Sequence, residues 1–487
     1  MIKIIEEIKT TRESYPFASA EKYCKLAERK YFEKEYYMHG TANVYQTLNT
    51  GKIGIKNKEV SYVNRFIVRA PENPKDFSGN VVLEIINPTA FMEIDRMWIL
   101  GWREFVRKGD IYIGITSKPN TIPKLLAFDS KRYEKMSWAN PTPETPLPFT
   151  VEEALKADLL PDQNINFETG LFWDMLSDLA KLLKVKIEKN PLNTYDIESL
   201  VLTGWSQSAN YLIRYMNDFI YGGIVDENLF DGFLVAGSPR NVSIPINQYE
   251  SLSAASSGLQ TIKKTKKPTI VIQTESENGG FEPWRLKRQE GDRQDFLCRQ
   301  YDITGASHDT EYSLISYYQD DSDLARIGCA MKYSGKNSYP NNYPSEYLFM
   351  SAYRNLFYWI KTGVAPQKCE LIKMDTKGIN LKDALGNTIG GLRTCLLDYP
   401  SRSYHRESDI DKGSNRMFPD ADTNFLFGCE KPFSKEMLYS LYESLDNYRD
   451  LVTKSTFEDV TKGFITKEDA SELIELSVKL AKDGGLE

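Results

Sequence analysis

The segment 200–210 constrains the fold more than any other part of the sequence, because it predicts a buried strand, a sharp turn and a helix in immediate succession. Its apolar run ends at Gly204, and Ser206 stands at the apex of the turn. Gly204 and Ser208 are small residues two positions before and after this serine, where the strand and the helix nearly touch. Such a turn presents a serine hydroxyl beside a helix N-terminus, as a nucleophile requires. The alternative is an ordinary turn of a parallel sheet.

The composition excludes several classes of function. The chain has 487 residues, of which 41% are hydrophobic and 12% aromatic, enough for a sizeable core. A net charge of −7, with acidic and basic residues interspersed, predicts no nucleic-acid partner. No run of about 18 apolar residues occurs, which argues against a membrane span. The N-terminal residues lack the pattern of a signal peptide.

The cysteines and histidines predict neither disulfides nor a metal site. The 6 cysteines are scattered without short spacings, which is typical of reduced thiols in a cytoplasmic protein. The 3 histidines lie far apart in the sequence, and no group of residues has metal-ligand spacing. We therefore expect a cytoplasmic protein with no metal and no cofactor.

Alternating strand and helix patterns predict an α/β fold with a mostly parallel central sheet and helices on both faces. Two half-buried antiparallel strands are predicted first, over 31–46 and 60–70. Continuous apolar runs then predict buried strands at 80–87, 111–116, 200–204, 233–236, 268–273 and 300–304. Helical spacing predicts helices at 18–29, 97–106, 168–184, 346–361 and 467–482.

One long segment interrupts the alternation of predicted strands and helices. Residues from about 117 to 165 are rich in proline and aromatic residues, and a crossover needs no such length. They are predicted to form a lid-like insertion, the alternative being a surface excursion packed only for stability. Residues from about 365 to 487 are predicted to form a C-terminal extension. Because no repeat or low-complexity linker occurs, a single elaborated domain over 1–487 is expected.

A serine nucleophile requires a base, which is usually a histidine oriented by a carboxylate. His308 follows the last predicted parallel strand. Parallel strands deliver their C-terminal loops to one edge of a sheet, so His308 is expected at the same edge as Ser206. His39 lies in an early antiparallel strand and His405 in a polar stretch, so both are weaker candidates.

The orienting acid is expected on the loop after strand 268–273. This loop contains Glu275 and Glu277. Glu277 is favoured, because a carboxylate a few residues beyond the strand is free to turn toward the imidazole. Glu275 is the alternative, and either residue can also be a solvated loop charge.

Backbone N–H groups are expected to stabilise the oxyanion. One is that of Gln207, directly after the nucleophile, and the other comes from the loop after strand 80–87. Pro88 has no N–H, so Thr89 or Ala90 is implied, and Thr89 is our prediction. Asn87 and Trp205 are predicted to contact the substrate.

Several motifs in order resemble a known family. They are Tyr36–Tyr45, Asn80–Asn87, Phe128–Tyr133, Glu168–Asp174, Gly204–Ser208, Gly305–His308, Gly386–Arg393 and Gly463–Ala470. Together they are similar to the large, mostly bacterial "alpha/beta hydrolase domain" proteins, a branch of the α/β-hydrolase superfamily, over about residues 30–480. The resemblance implies an α/β-hydrolase fold with Ser206 and His308 in catalysis and an acidic loop at 274–277. In that family an aspartate often stands at the position of Glu277. This difference affects the assignment of the acid more than the expected activity.

The sequence thus predicts a cofactor-free serine hydrolase acting on a small-molecule carboxylic ester with a hydrophobic or aromatic portion. An amidase or acyltransferase would use the same residues. The alternative from another functional class is a protein that has the hydrolase fold but binds its ligand without turnover. A homo-oligomer is compatible with the sequence.

Overall fold

The computed structural model describes residues 1–148, 165–239, 244–251, 261–278, 290–315, 321–329, 339–408 and 426–487, with the single residues 150, 153 and 317. The chain forms two compact units. The first comprises Met1–Thr269, Gly291–Cys298 and Ala325–Gly328. The second comprises Ile270–Glu290, Arg299–Leu324 and Cys329–Glu487.

The first unit is built on a mixed β-sheet. Its strands are β1 (Ile2–Ile8), β2 (Tyr31–Thr47), β3 (Ile53–Pro71), β4 (Asn80–Ile85), β5 (Ile111–Ile115), β6 (Ser199–Trp205) and β7 (Gly232–Ala236). They lie in the order β1-β2-β3-β5-β4-β6-β7. In this order, neighbouring strands from β1 to β5 are antiparallel, and neighbouring strands from β5 to β7 are parallel. The antiparallel hairpin and the central parallel strands predicted from the sequence are confirmed.

Three further strands follow, namely β8 (Thr265–Gln273), β9 (Gly291–Arg293) and β10 (Phe296–Asp302). β9 pairs antiparallel with the beginning of β10 in the first unit. The ends of β8 and β10 belong to the second unit, where Ile303 N–H donates to Gln273 O at 2.7 Å. The loops that carry the predicted acid and histidine therefore leave neighbouring strand ends.

Along the chain, the helices of the first unit lie between its strands. They are α1 (Glu21–Cys24), α2 (Arg96–Lys108), α3 (Ile122–Phe128), α4 (Ser130–Tyr133), α5 (Phe172–Leu183) and α6 (Gln207–Arg214), with 3-10 turns at Ala27–Arg29, Pro74–Asp76, Pro119–Thr121 and Thr169–Leu171, and a π-helical turn at Tyr215–Ile220. The prediction of one helix over 18–29 is wrong. Lys25 takes a left-handed conformation with φ 49° and ends α1 after one turn.

Part of the predicted insertion 117–165 is described. Its residues up to 148 contain α3 and α4, and the side chains of Phe128, Tyr133 and Trp138 are buried. The Tyr133 hydroxyl donates to the Glu35 carboxylate of β2 at 3.0 Å. Residues 149, 151–152 and 154–164 lie outside the described residues. The described part is packed within its unit, and a lid function stays a prediction.

The second unit contains most of the predicted C-terminal extension. Its small antiparallel sheet consists of β11 (Tyr339–Pro340), β13 (Cys429–Pro432) and β12 (Arg402–His405), in that order. Its helices are α8 (Glu346–Thr362), α9 (Cys395–Asp398), α10 (Lys435–Tyr442), α11 (Leu445–Lys462) and α12 (Ala470–Asp483), with a π-helical turn at Glu311–Ile315, and α7 (Ser322–Arg326) begins there. In the described part of the chain, no helix combines the length and apolarity needed to cross a membrane.

A glutamate is buried in the central strand β4. The Glu84 carboxylate accepts the N–H groups of Met97 and Trp98 at 3.0 and 3.1 Å, in the first turn of α2, and the Tyr112 hydroxyl at 2.7 Å. Burial, together with the charge of Asp95, raises the pKa of Glu84 to about 8 despite these donors. Glu84 thus joins strand, helix and neighbouring strand, and it holds a proton that the unfolded chain would release.

Glu84→Gln is expected to remove a pH dependence of stability. Between its ordinary pKa of 4.5 and about 8, the folded state binds a proton that the unfolded state does not, so raising the pH favours unfolding. The free energy of unfolding of the wild type should fall relative to that of the variant by up to about 1.4 kcal/mol per pH unit. Urea denaturation at pH 5, 6, 7 and 8 measures this difference. Glu72→Gln, at an exposed position, is the control, and parallel profiles of wild type and Glu84→Gln would contradict the prediction.

Candidate active site

Ser206 occupies a strained turn between β6 and α6. Its backbone has φ 57° and ψ −121°, a conformation that residues other than glycine rarely adopt. The Ser206 N–H donates to Ala236 O at the end of β7, and its carbonyl accepts the Ala209 N–H, both at 2.9 Å. The serine is half-buried. The chain therefore holds Ser206 between a strand and the first turn of a helix, as the sequence pattern predicts.

Close packing explains the small residues on either side of this serine. A Cβ atom at Gly204 would lie 2.6 Å from Ser208 O, so a side chain at 204 would collide with the backbone of α6. The Ser208 hydroxyl donates to Ile86 O at 3.2 Å, just after β4. Serine is thus accommodated at position 208, because its hydroxyl finds an acceptor in this buried place.

The loop after β4 contacts this turn. The Asn87 side-chain amide donates to Trp205 O at 2.8 Å, and the Asn87 Oδ1 accepts the Thr89 N–H at 2.9 Å. The Thr89 hydroxyl donates to the Gln207 side-chain Oε1 at 3.2 Å. The Thr89 N–H, our predicted oxyanion donor, is therefore already engaged. The N–H groups of Ala90 and Gln207 donate to no acceptor among the described residues.

The two residues predicted to bind substrate are buried. Asn87 uses both polar atoms of its side chain for the contacts above. The Trp205 ring packs against Gly237, where a Cβ atom would lie 2.9 Å from it, and the Arg96 guanidinium lies 5.6 Å from its centroid. Substrate contact by Asn87 and Trp205 stays a prediction, and these contacts account for both side chains within the protein.

A buried carboxylate–histidine pair lies in the second unit. The His308 Nδ1 and Glu277 Oε1 are 2.5 Å apart, and the two side chains are 5% and 1% exposed. The Thr274 N–H donates to Glu277 Oε2 at 2.5 Å, and the His308 N–H donates to Ser276 Oγ at 2.9 Å. A carboxylate at Nδ1 favours the tautomer with its proton on Nδ1, in which Nε2 is basic.

Glu275, the alternative acid, serves other partners. Its carboxylate accepts the Gly305 N–H at 2.7 Å and the Thr388 hydroxyl at 2.9 Å, and the Lys382 ammonium lies 3.6 Å away. Its backbone N–H donates to Ala306 O at 3.0 Å. Of the two candidate acids, Glu277 is thus the one that contacts His308, and Glu275 ties the loop before His308 to a distant segment.

The other histidines have local partners. His39 lies on β2, with its Nε2 3.2 Å from the Glu6 carboxylate. His405 lies on β12, with its Nε2 2.9 Å from the Ser403 hydroxyl. Burial, with the charges of Lys382 and Lys431, lowers the pKa of His405 to about 4, so it is neutral at pH 7.

Sequence reasoning missed the roles of Thr274 and Ser276. Both donate to or accept from the acid–histidine pair, and their position beside two candidate acids is the only sequence signal for them. Among the described residues, no three His, Cys, Asp or Glu side chains form a group that can hold a metal ion. All 6 cysteines are described, and none forms a disulfide bond.

The central parallel strands and the strand–turn–helix at Ser206 are the fold of an α/β hydrolase. A family model of the alpha/beta hydrolase domain matches residues 4–475, so the chain belongs to that family. The predicted fold class and family are thereby confirmed. No curated protein matches the sequence.

Solved structures matched to this chain share little sequence with it. They include a fungal esterase from Rhizomucor miehei, 10% identical, over 63% of this chain and 86% of that one, with a TM-score of 0.31. A serine hydrolase without a lid from Xanthomonas campestris is 10% identical over 54% and 84%, with a TM-score of 0.28. An alpha-beta hydrolase from Vibrio vulnificus is 8% identical over 60% and 80%, with a TM-score of 0.29. Likeness at this level does not bear on the site or the substrate.

Proposed function

We propose that the protein is a serine hydrolase that cleaves a carboxylic ester through an acyl-enzyme intermediate. The observation that carries this proposal is the backbone of Ser206, held at φ 57° between a central strand and a helix N-terminus. Strain of this kind costs about 1–3 kcal/mol and persists where function needs the geometry. The buried Glu277–His308 pair supports the proposal, because an oriented histidine is what such a serine requires.

In the proposed mechanism, Ser206 attacks the ester carbonyl while His308 takes its proton at Nε2. Glu277 holds the imidazole and stabilises the imidazolium that forms. His308 then returns the proton to the leaving alkoxide, and the same steps with water release the acyl group. The Gln207 N–H, at the beginning of α6, and an N–H of the loop after β4 stabilise the oxyanion in both steps.

We further propose that the substrate has an apolar portion. The side chain of Phe91, in the loop after β4, is 52% exposed. Its φ of 57° is also positive, so its backbone is strained. An exposed aromatic one residue beyond Ala90 offers a surface for an aromatic or aliphatic acyl or alcohol group. Hydrolysis rates over p-nitrophenyl esters of increasing chain length, beside the corresponding anilides, report this preference and separate an esterase from an amidase.

A fluorophosphonate probe tests the nucleophile directly. The wild type is expected to react with the probe, because an activated serine attacks its phosphorus, and Ser206→Ala is expected to show no labelling. Intact-mass measurement counts the adducts, and Ser208→Ala, two residues on in the same turn, is the matched control that should keep its label. Absence of labelling in the wild type, or equal labelling of Ser206→Ala, would overturn the serine-hydrolase proposal.

A further inference from the structure

Asn87 joins the loop after β4 to the turn that carries the proposed nucleophile. It is 3% exposed and uses both ends of its side-chain amide. Its Nδ2 donates to Trp205 O, the carbonyl directly before Ser206, and its Oδ1 accepts the N–H of Thr89. The amide therefore fixes the distance between the backbone of the turn and the backbone of the loop.

The same loop is held at its other end by buried ion pairs. Asn87 and Ile94 exchange backbone hydrogen bonds of 3.1 and 3.0 Å, which closes the loop upon itself. Beyond the closure, Arg65 of β3 binds both Glu93 and Glu35, and these three side chains are almost completely buried. Thr116 also donates to Glu93. The segment 88–91 between these anchors consequently has few ways to move relative to β4.

Only some N–H groups of this segment are available to a ligand. Pro88 has none, and the Thr89 N–H is engaged with Asn87. The Phe91 N–H donates to Pro88 O at 3.0 Å. Ala90 is the residue of the segment whose N–H donates to no acceptor among the described residues.

We infer that Asn87 is a positioning residue which, by holding Trp205 O and the Thr89 N–H, sets the Ala90 N–H as the oxyanion donor of this loop. The inference rests on the proposed serine-hydrolase function, and it replaces Thr89 by Ala90 in that role. A buried asparagine that merely satisfies its own hydrogen bonds is the competing explanation. The two explanations differ in what removal of the side chain does to transition-state binding.

The test compares Asn87→Ala with Asn80→Ala. Asn80 begins β4 and also donates its side-chain amide to a neighbour, Asp110, at 3.0 Å, so it is a matched control at the opposite end of the strand. Misplacement of a donor by about 1 Å costs about 10²-fold in rate. Asn87→Ala is therefore expected to lower kcat about 10²-fold with little change in KM, and to weaken binding of a boronic acid, a tetrahedral analogue, by a similar factor. Asn80→Ala should leave both values within about threefold of wild type.

Two outcomes would overturn the inference. One is an active wild type together with Asn87→Ala that keeps its kcat and its affinity for the boronic acid. The other is unchanged hydrogen exchange of segment 87–95 in Asn87→Ala, since loss of the side chain should expose the Thr89 amide. Hydrogen exchange needs no turnover, so it judges Asn87 even where the wild type hydrolyses no ester and the proposed function itself fails.

Discussion

Replacing His308 with alanine is expected to lower kcat/KM for ester hydrolysis by about 10³-fold or more, because loss of the base of a serine enzyme can cost about 10⁶-fold in kcat. Without the imidazole, no group takes the Ser206 proton as the new bond forms, and none protonates the leaving alkoxide. The His308 side chain is buried and bound to Glu277, so the variant also removes the imidazole that this carboxylate binds. Initial rates with p-nitrophenyl acetate, beside a thermal unfolding curve, separate lost chemistry from lost folding.

His405→Ala is the matched control for this change. His405 is half-buried in the same unit, and its ring Nε2 lies 2.9 Å from the Ser403 hydroxyl. We expect its kcat/KM to stay within about threefold of wild type, as for substitutions outside a site. A folded His308→Ala that keeps its activity, or a large loss in His405→Ala, would transfer the role of base to His405.

Glu277→Gln is expected to lower kcat by about 10³–10⁴-fold with the fold retained. The carboxylate accepts the Nδ1 proton of His308, whereas an amide can offer its own N–H at that position. The imidazole would then carry its proton on Nε2, the tautomer that cannot accept a proton from Ser206. The loss should appear in kcat more than in KM, because Glu277 does not contact the substrate in the proposed mechanism.

The control is the other glutamate of the same loop. Glu275→Gln changes the same atoms two residues earlier, at a carboxylate bound to Gly305, Thr388 and Lys382. We expect its kcat to fall less than about tenfold, and its thermal stability to fall, because it loses charge-assisted hydrogen bonds in a buried place. A larger rate loss in Glu275→Gln than in Glu277→Gln would reverse the assignment of the acid.

The sequence predicted the elements whose environment is uniform along their length. The strands β4 to β7 are almost entirely buried, so they appear in the sequence as continuous apolar runs. The long hairpin of β2 and β3 shows the expected antiparallel pairing. Short elements carry no such signal: the strands of the small C-terminal sheet span 2 to 4 residues, too few to show a period. The last helix, predicted at 467–482, is present as α12.

The candidate site likewise has a part that the local sequence predicts and a part that depends on tertiary contacts. The turn at Ser206 is encoded locally, by an apolar strand, two small residues and a helix, and the structure has that turn. Glu275 and Glu277 also bind partners that are distant in the sequence. Thr388 lies 113 residues from Glu275 in the sequence, and His308 lies 31 residues from Glu277. The direction of each carboxylate depends on these tertiary contacts.

The left-handed backbone of Ser206 has a consequence for engineering. Glycine adopts a positive φ without the steric cost that a Cβ atom imposes, so the most stable occupant of position 206 is not a serine. Selection for heat resistance alone would therefore favour Ser206→Gly and discard the hydroxyl. At this residue, greater thermal stability would come at the expense of the proposed nucleophile. A screen for more stable variants must therefore also measure turnover.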